Sequence, residues 1–385
     1  MFHPARSILA AVLAMAGLAA TPARADINVG VTLSLTGPAA SLGMPAKRAI
    51  DLLPKEAAGQ KLNFILLDDT SDPSVSVRNF RRLVDEHKVD VVMGSSVTPS
   101  TIALVDVAAE TKVPLMSLAA SARIVEPQDE KRRWAFKAIQ NENLMIGATL
   151  DHMQQAGTKT LAFMGFSDAY GDAWLSALQP LADKAGIKLV ATERYVRTDT
   201  SVVAQTLKII AAKPDAVLVA ASGTPGALPQ KALTERGYKG RVYQTYGIAN
   251  RDFLRVAGKD AEGAIFAVGP VLVADQLEPG SPMRPVAQDF VKRYEAAYGP
   301  NSASIFSANV WDAGLVLRAA IPAALGKGKP GTEAFRIALR DALESTSGVV
   351  TTQGVTTMSR SDHVGYDKRA AVLVQIQNGA WKYLK

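Results

Sequence analysis

The residues best placed to do chemistry are hydroxyl groups gathered where a strand gives way to a helix. Gly94-Ser95-Ser96-Val97-Thr98-Pro99-Ser100-Thr101 follows the apolar run Val89–Met93 and leads into a helical pattern over Thr101–Glu110. Thr98 suits the N-cap and Pro99 the first helical position. Such a helix start offers free backbone N–H groups and the positive end of the dipole, so it can hold a carboxylate without a cationic side chain. Its place beyond a strand's carboxyl end is where open α/β sheets hold ligands. A second small-residue turn, Ser117-Leu118-Ala119-Ala120-Ser121, follows the strand-like Val113–Met116 and offers hydroxyl and backbone groups to the same spot. Ordinary helix capping is the alternative explanation of both turns.

Other chemistries lack their residues. The first apolar strand runs into Ser34-Leu35-Thr36-Gly37-Pro38, without the G-x-G-x-x-G turn that lets a backbone approach a dinucleotide pyrophosphate. No G-x-x-x-x-G-K-[ST] occurs. Gly165-Phe166-Ser167-Asp168 begins like a nucleophile elbow, but Ala169 stands in place of the second glycine. The absence of cysteine removes disulfides, thiolate catalysis and Cys-ligated metals together. Only His87, His152 and His363 follow the first few residues, none with a second histidine at helical ligand spacing. Asp68-Asp69-Thr70-Ser71-Asp72 imitates a calcium loop, yet Pro73 and Asn79 stand where the sharp glycine and the bidentate glutamate belong. Asp72 capping a helix whose first turn takes Pro73 is the better reading. No metal or cofactor is expected. The clusters Arg78/Arg81/Arg82 and Lys131-Arg132-Arg133 are short and lack interleaved aromatics, so they read as solvated faces and not as a nucleic-acid groove.

The elements that position these residues alternate. Strand patterns Ile27–Leu33, Leu62–Leu67 and Val89–Met93 are separated by helical spacing over Pro45–Ala58 and Val75–His87. After Trp134–Ile139 the rhythm restarts with strands Thr160–Met164, Ile187–Ala191 and Ala216–Ala220 between helices Gly171–Ala185, Val202–Ala212 and Gly226–Arg236. Short continuous apolar strands between helices mean parallel strands buried on both faces, hence doubly wound α/β units. Asp289–Tyr298 and Ser304–Ala324 read as helices, and Ala371–Ile376 with Trp381–Leu384 as a late strand or hairpin. The chain of 385 residues, 48% apolar and 21% charged, is too long for one comfortable core, so two lobes are expected. At the start, Arg6, the apolar run Ile8–Ala20 and Ala23-Arg24-Ala25 read as a cleaved export signal over residues 1–25, with a periplasmic mature protein. The formal charge of +7 includes Arg6 and Arg24 of this leader, and so modest a balance favours anionic partners only weakly.

Taken in order, these segments resemble the periplasmic solute-binding proteins of branched-chain amino acid ABC transporters, the leucine/isoleucine/valine-binding type. The matching marks are Val29-Gly30-Val31-Thr32-Leu33-Ser34-Leu35-Thr36-Gly37-Pro38, Asp68-Asp69, Gly94–Thr101, Val113-Pro114-Leu115-Met116-Ser117, Asp168-Ala169-Tyr170-Gly171 and Asp312-Ala313. They span the whole chain after the leader. The resemblance implies the type I periplasmic binding protein fold: two doubly wound α/β lobes joined by three crossings, with the ligand clamped between them. It implies lobe one at residues 26–140 plus 270–357 and lobe two at 141–269 plus 358–385, with crossings at Asn141, near Val268–Pro270 and near Val355–Gly365. It also implies a membrane ABC permease as partner and a monomer. Thr98, with neighbouring Ser96, matches the family's carboxylate-binding hydroxyl position; Ala119 and Ser121 match groups that complete that grip. Tyr170 matches the lobe-two tyrosine that closes over the ligand.

Two departures bear on the ligand. In the family's amino acid binders an acidic residue receives the ammonium group, and here Tyr246 occupies that position. A phenol with an ordinary pKa of about 10 cannot supply the missing anion at neutral pH, and an unpaired buried ammonium is costly. The lobe-one aromatic expected in the Gly37–Gly43 loop is replaced by Leu42. Ala221-Ser222-Gly223-Thr224-Pro225-Gly226-Ala227-Leu228-Pro229 resembles a branch of the family that takes up aromatic acids. Ser222, Thr224 and Tyr246 can offer hydrogen bonds to a ring hydroxyl, while Phe166 and Tyr170 offer faces for stacking; Phe166 equally suits a core position. The expected ligand is a small carboxylate, an aromatic acid of the benzoate, hydroxybenzoate or phenylpropenoate type, with an amino acid as the alternative. A secreted enzyme on the same scaffold would need acid/base residues near Thr98 and Tyr170, where only Asp168 and Asp172 are at hand.

Overall fold

Apolar strand runs organise the chain into two sheets. The computed structural model describes residues 25–384, so the leader reading falls outside them except for Ala25. The first sheet holds β1 (Ile27–Leu33), β2 (Glu56–Ala57), β3 (Gln60–Asp68), β4 (Val91–Gly94), β5 (Leu115–Ser117) and β6 (Ala135–Lys137), in the order β2-β3-β1-β4-β5-β6. The second holds β7 (Thr160–Phe166), β8 (Lys188–Tyr195), β9 (Ala216–Ala220), β10 (Arg241–Gln244) and β11 (Ile265–Val268). With β14 (Val372–Gln377) and β15 (Ala380–Leu384) it runs β15-β14-β11-β10-β9-β7-β8. Between them in sequence, β12 (Val349–Val350) and β13 (Val355–Thr356) form a separate small hairpin. β1, β3, β4, β5 and β6 are parallel, as are β7 to β11. Antiparallel additions close the edges: β2 on β3, and β14 and β15 beyond β11. Asn378-Gly379, both at positive φ, makes the tight β14–β15 turn.

Two doubly wound α/β lobes joined by three crossings result. In each parallel set the first strand lies between the second and third, so each sheet has a switch point at which successive connections leave in opposite directions. Helices cover the sheets where their apolar faces demand it. Helix Ala40–Leu52 begins well before the expected Pro45 and ends before Glu56, which starts β2. Pro45 marks no helix start: it forfeits one backbone bond inside the helix, while Leu42, Ala46, Ala49 and Ile50 go into the core. Helix Pro73–Asp85 has Asp72 as its cap, accepting from the Val75 N–H at 2.9 Å. Helix Glu142–Gln155 was not anticipated, although Met145, Ile146, Thr149, Leu150 and Met153 bury one face at helical spacing.

The three crossings meet in a hydrogen-bonded knot. Gln140, just after β6, donates from Nε2 to the carbonyls of Ala370 at 2.9 Å and Gln353 at 3.3 Å. A Cβ at Gly269, just after β11, would stand 2.4 Å from Gln353 Oε1 and 2.9 Å from Gln140 Nε2, so a side chain there would displace both amides. Below them, in helix Ile305–Leu325, lies the fully buried Asp312. It accepts from the Thr352 N–H at 2.8 Å and the Thr352 hydroxyl at 3.0 Å. Burial outweighs these bonds and pushes its carboxyl up to about 7.

The unfolded carboxyl titrates near the ordinary value of about 3.9, so between that pH and about 7 the folded chain holds a proton that the unfolded chain does not. The stability from this group is fully present below the unfolded value and is lost as pH rises through the folded one. Asp312→Asn keeps an acceptor for the Thr352 N–H and removes the titration. Urea unfolding at pH 5 and pH 8 should show the variant gaining on the wild type as pH rises; a constant difference would place the proton elsewhere.

Candidate functional site

On the lobe-one side, a buried polar network fixes the hydroxyl-rich turn. The fully buried Asp69 carboxylate accepts from the hydroxyls of Ser34, at 2.7 Å, and Ser95, and from the Ser71 N–H at 3.0 Å. The Ser34 N–H donates to Ser96 Oγ at 3.1 Å, and the Ser95 N–H to Thr101 Oγ1 at 3.0 Å. Helix Thr98–Thr111 starts on this base. Thr98 is not its N-cap: extended Val97 takes that place, making Thr98 the first helical residue and Pro99 the second. The Thr98 hydroxyl is therefore not spent on capping. Its Oγ1 is buried without a hydrogen-bond partner, as is Ser100 Oγ. A helix start leaves its first N–H groups without intrahelical acceptors, and with Pro99 lacking one, those of Thr98 and Ser100 remain.

The second turn is braced from behind. Ser117 Oγ donates to the Ala119 carbonyl at 2.9 Å and accepts from the Ala119 N–H at 3.1 Å. The buried Lys137 ammonium donates to the Ala120 carbonyl and to Asn141 Oδ1. Burial lowers its pKa to about 8, against the pull of Glu142, Glu126 and Asp362. Buried Glu142 accepts from the Ala122 N–H at 2.8 Å through Oε2, while its Oε1 has no partner.

Lobe two presents aromatic and polar groups from four strand ends. Asp168 follows β7 and caps helix Ala169–Lys184, accepting from the N–H groups of Tyr170 at 2.9 Å and Gly171 at 3.3 Å. Only glycine fits at 171, since a Cβ would lie 2.0 Å from the Phe166 carbonyl. The Tyr170 hydroxyl donates to Thr245 Oγ1 at 2.8 Å. Tyr246, after β10, donates from its hydroxyl to the Gln140 carbonyl at 3.2 Å. Trp174 packs between them, with ring centroids 6.2 Å from Tyr170 and 5.8 Å from Tyr246. Burial drives both phenols well above their ordinary pKa, so each stays a neutral donor. Arg197, two residues beyond β8, donates from Nε to Asp168 Oδ2 at 2.7 Å and from Nη1 to Ser222 Oγ at 2.9 Å.

These walls meet across one nearly closed cleft whose free cavity volume is only about 30 Å³, so a ligand would enter by the lobes parting. Leu42, Ser96, Thr98 and Ala119 line it from lobe one, and Tyr170, Ser222 and Tyr246 from lobe two. Three expected residues lie outside this lining. Ser121 Oγ accepts from the Arg123 N–H at 3.3 Å and caps a short 3-10 turn. Phe166 is fully buried beneath Arg197, because its strand position points into the second sheet's core. Thr224 meets the other lobe instead, its N–H donating to Ser41 Oγ at 3.3 Å. The Ile305 N–H to the Ala249 carbonyl at 3.4 Å and Arg123 Nη2 to Ser176 Oγ at 3.3 Å also bridge the lobes. Sequence reasoning missed Arg197, Phe306 and Asn309, which also line the cleft. Arg197 follows a strand read as ending at Ala191 that in fact runs to Tyr195. Phe306 and Asn309 lie in the first turns of a helix that was read, but with no reason to face the cleft.

The periplasmic binding protein family model matches residues 26–380. A Leu/Ile/Val-binding protein homolog from Brucella melitensis is 24% identical over 350 residues, covering 89% of each chain. An extracellular ligand-binding receptor from Rhodopseudomonas palustris HaA2 is 45% identical over 94% of this chain and 100% of its own, with a TM-score of 0.91. An R. palustris solute-binding protein of an ABC transporter, solved in complex with benzoate, shares the fold at 23% identity and a TM-score of 0.77 over 94% of this chain and 96% of its own.

The unpartnered Thr98 hydroxyl yields a stability test. A buried hydroxyl without a partner costs about 1–3 kcal/mol of desolvation. Thr98→Val removes it at nearly constant shape, so the ligand-free variant should unfold at the same or a higher midpoint, by up to about 1 kcal/mol in urea titration. A clear loss of stability would mean that the hydroxyl serves the fold.

Proposed function

The chain belongs to the periplasmic binding protein family, and from that premise we propose that it is the substrate-binding component of an ABC importer, clamping a small aromatic carboxylate between its lobes. The carrying observation is Tyr246, a buried neutral phenol at the position that the sequence resemblance matches with the acid of amino acid binders. Its hydroxyl donates to Gln140, and Arg197 is the one charged side chain among the lining residues. A lining of this kind offers an ammonium group no free carboxylate, and burying that group unpaired costs several kcal/mol. A carboxylate is better served, by the Thr98 hydroxyl and the N–H groups of Thr98 and Ser100 at the positive end of the helix. Tyr170, Tyr246 and Phe306 give an aromatic ring apolar and edge contacts. The benzoate complex of a relative with the same fold supports this ligand class.

In the same reading, residues 26–140 with 270 to about 366 form lobe one, and 141–269 with the residues from about 367 onward form lobe two; the expected boundary after 357 moves because His363 stacks on Phe136 and Val364 packs in the first sheet's core. Residues 1–25 direct the chain to the periplasm, where it works as a monomer and delivers its ligand to a membrane permease. The cleft acts by binding and not by turnover, since no lining residue is a carboxylate or histidine able to move a proton. One observation favours a second reading, an amino acid ligand: Glu142 keeps an unpartnered buried oxygen and lies near enough to Tyr170 and Tyr246 to influence both.

A thermal-shift panel separates the two. Benzoate, 4-hydroxybenzoate or cinnamate should raise the melting temperature, because a ligand bound by the native state alone stabilises it by mass action. Leucine, isoleucine and valine should do little. Strong stabilisation by leucine and none by any aromatic acid would overturn the reading and point to Glu142 as the ammonium partner. Thr98→Val should weaken binding of the stabilising acid by about 1.5–3 kcal/mol, the worth of a hydrogen bond to a charged group.

Closure provides an independent check. Because the ligand would touch both walls, it should favour the conformation in which Thr224 meets Ser41 and Ile305 meets Ala249. Small-angle scattering should then give a smaller radius of gyration with the stabilising acid than without it. An unchanged profile at saturation would argue against a clamp.

A further inference from the structure

We infer that Arg197 is the specificity-determining residue of the lobe-two wall, selecting acids that carry a neutral ring hydroxyl on the side facing it. The inference rests on the aromatic-acid reading above and adds what the second end of the ligand must be. Arg197 is the one charged residue of the lining, and its side chain is only 14% exposed. Its position is fixed by three neighbours. Nε is tied to Asp168 at 2.7 Å, Nη1 to Ser222 Oγ at 2.9 Å, and the guanidinium carbon lies 4.0 Å from the centroid of the Phe166 ring. Asp168 is itself held by the Tyr170 and Gly171 N–H groups. A planar fork held in this way has already lost its rotamer freedom, so little entropy remains to be lost when it meets a ligand.

Nη2 has no hydrogen-bond partner among the described residues, which leaves donors for an oxygen acceptor in the cleft. Charge decides which acceptor. Asp168 balances the guanidinium at ion-pair distance, so the pair offers a donor but no net positive charge. A second carboxylate on the ligand would meet the repulsion of Asp168 along with the attraction of Arg197. A hydroxyl meets no such opposition, and it can return its own proton to an acceptor such as Ser222 Oγ. A ligand with nothing at that end leaves the Arg197 donors unpaired on closure, and sites built around a polar partner discriminate most sharply against analogues that lack it.

The test is calorimetric titration of benzoate, 4-hydroxybenzoate and terephthalate into the wild type, Arg197→Met and Arg197→Lys. The wild type should bind 4-hydroxybenzoate about tenfold or more tighter than benzoate, as expected for one charge-assisted hydrogen bond, and terephthalate weakest. Arg197→Met should bring the first two to near equality, chiefly through loss of affinity for 4-hydroxybenzoate. If the methionine variant fails to fold, the lysine variant, which retains the charge and loses the fork, should still shrink the preference. Asp168→Asn keeps the helix cap and leaves the guanidinium unbalanced, so it should improve terephthalate specifically. Equal wild-type affinities for the first two acids, a preference unchanged by the Arg197 variants, or terephthalate bound tightest by the wild type would each overturn the inference and leave the aromatic-acid reading standing. Equal loss of all three acids in a folded variant would also overturn it, by showing that Arg197 holds the carboxylate. Failure of every aromatic acid to bind the wild type would overturn the underlying reading and this inference together.

Discussion

Three backbone crossings pass through a space where a side chain at Gly269 would have to push aside Gln140 and Gln353, and the cleft depends on that constraint. Gln140, at the first crossing, and Gln353, in the turn of the β12–β13 hairpin, close around the glycine, and Gln140 fastens to the carbonyls of Gln353 and Ala370. Both residues also reach toward the cleft, Gln140 through its backbone carbonyl and Gln353 through its side-chain amide. The Gln140 carbonyl receives the Tyr246 hydroxyl, and Gln353 Nε2 donates to Asn309 Oδ1 at 2.8 Å. Tyr246 and Asn309 line the cleft. The pivot and the pocket wall therefore share hydrogen bonds, and each buried partner left unpaired would cost about 1–3 kcal/mol. A change in the angle between the lobes cannot leave the wall indifferent.

Sheet topology then decides what faces what. Ligands of open parallel sheets sit beyond the strand carboxyl ends at the switch point, and here two such points face each other. Lobe one contributes the ends of β1 and β4, through Leu42, Ser96 and Thr98; lobe two contributes those of β7 to β10, through Tyr170, Arg197, Ser222 and Tyr246. The two walls divide the electrostatics. On the proposed reading, lobe one would attract an anion with partial charges only, N–H groups at a helix start and an unspent hydroxyl, which avoids the desolvation of a free cation in the empty protein. Lobe two carries a full charge but neutralises it internally, through Arg197 and Asp168. Neither wall keeps an unbalanced ion in the cleft before the ligand arrives.

Much of this is legible in the sequence, for reasons that can be named. The strands were readable because parallel strands buried on both faces need unbroken apolar runs: Ile27–Leu33 and Ala216–Ala220 fall where their residues place them. Local signals that double as something else misled. Pro45 imitates a first helical residue and sits mid-helix, and Thr98 imitates a cap and is released from capping by Val97. The longest-range features were illegible. Nothing near Arg197 in sequence announces that Asp168, 29 positions earlier, and Ser222, 25 later, will hold it. β8 is only partly buried, so its later residues lack the apolar run that identified its neighbours. The knot around Gly269 joins residues more than 200 positions apart, a distance no local pattern spans.

Tyr246 brings these strands of argument together. An acid at its position would be a buried carboxylate awaiting an ammonium group, beside Glu142, whose own charge already acts on this tyrosine. Two carboxylates in such a space would repel. A tyrosine avoids that conflict, fills the volume with an aromatic face against Trp174, and has a hydroxyl to give. That hydroxyl goes to the Gln140 carbonyl at the pivot. One residue type thus withdraws the partner an amino acid would need, supplies a surface an aromatic ring can use, and ties that surface to the hinge.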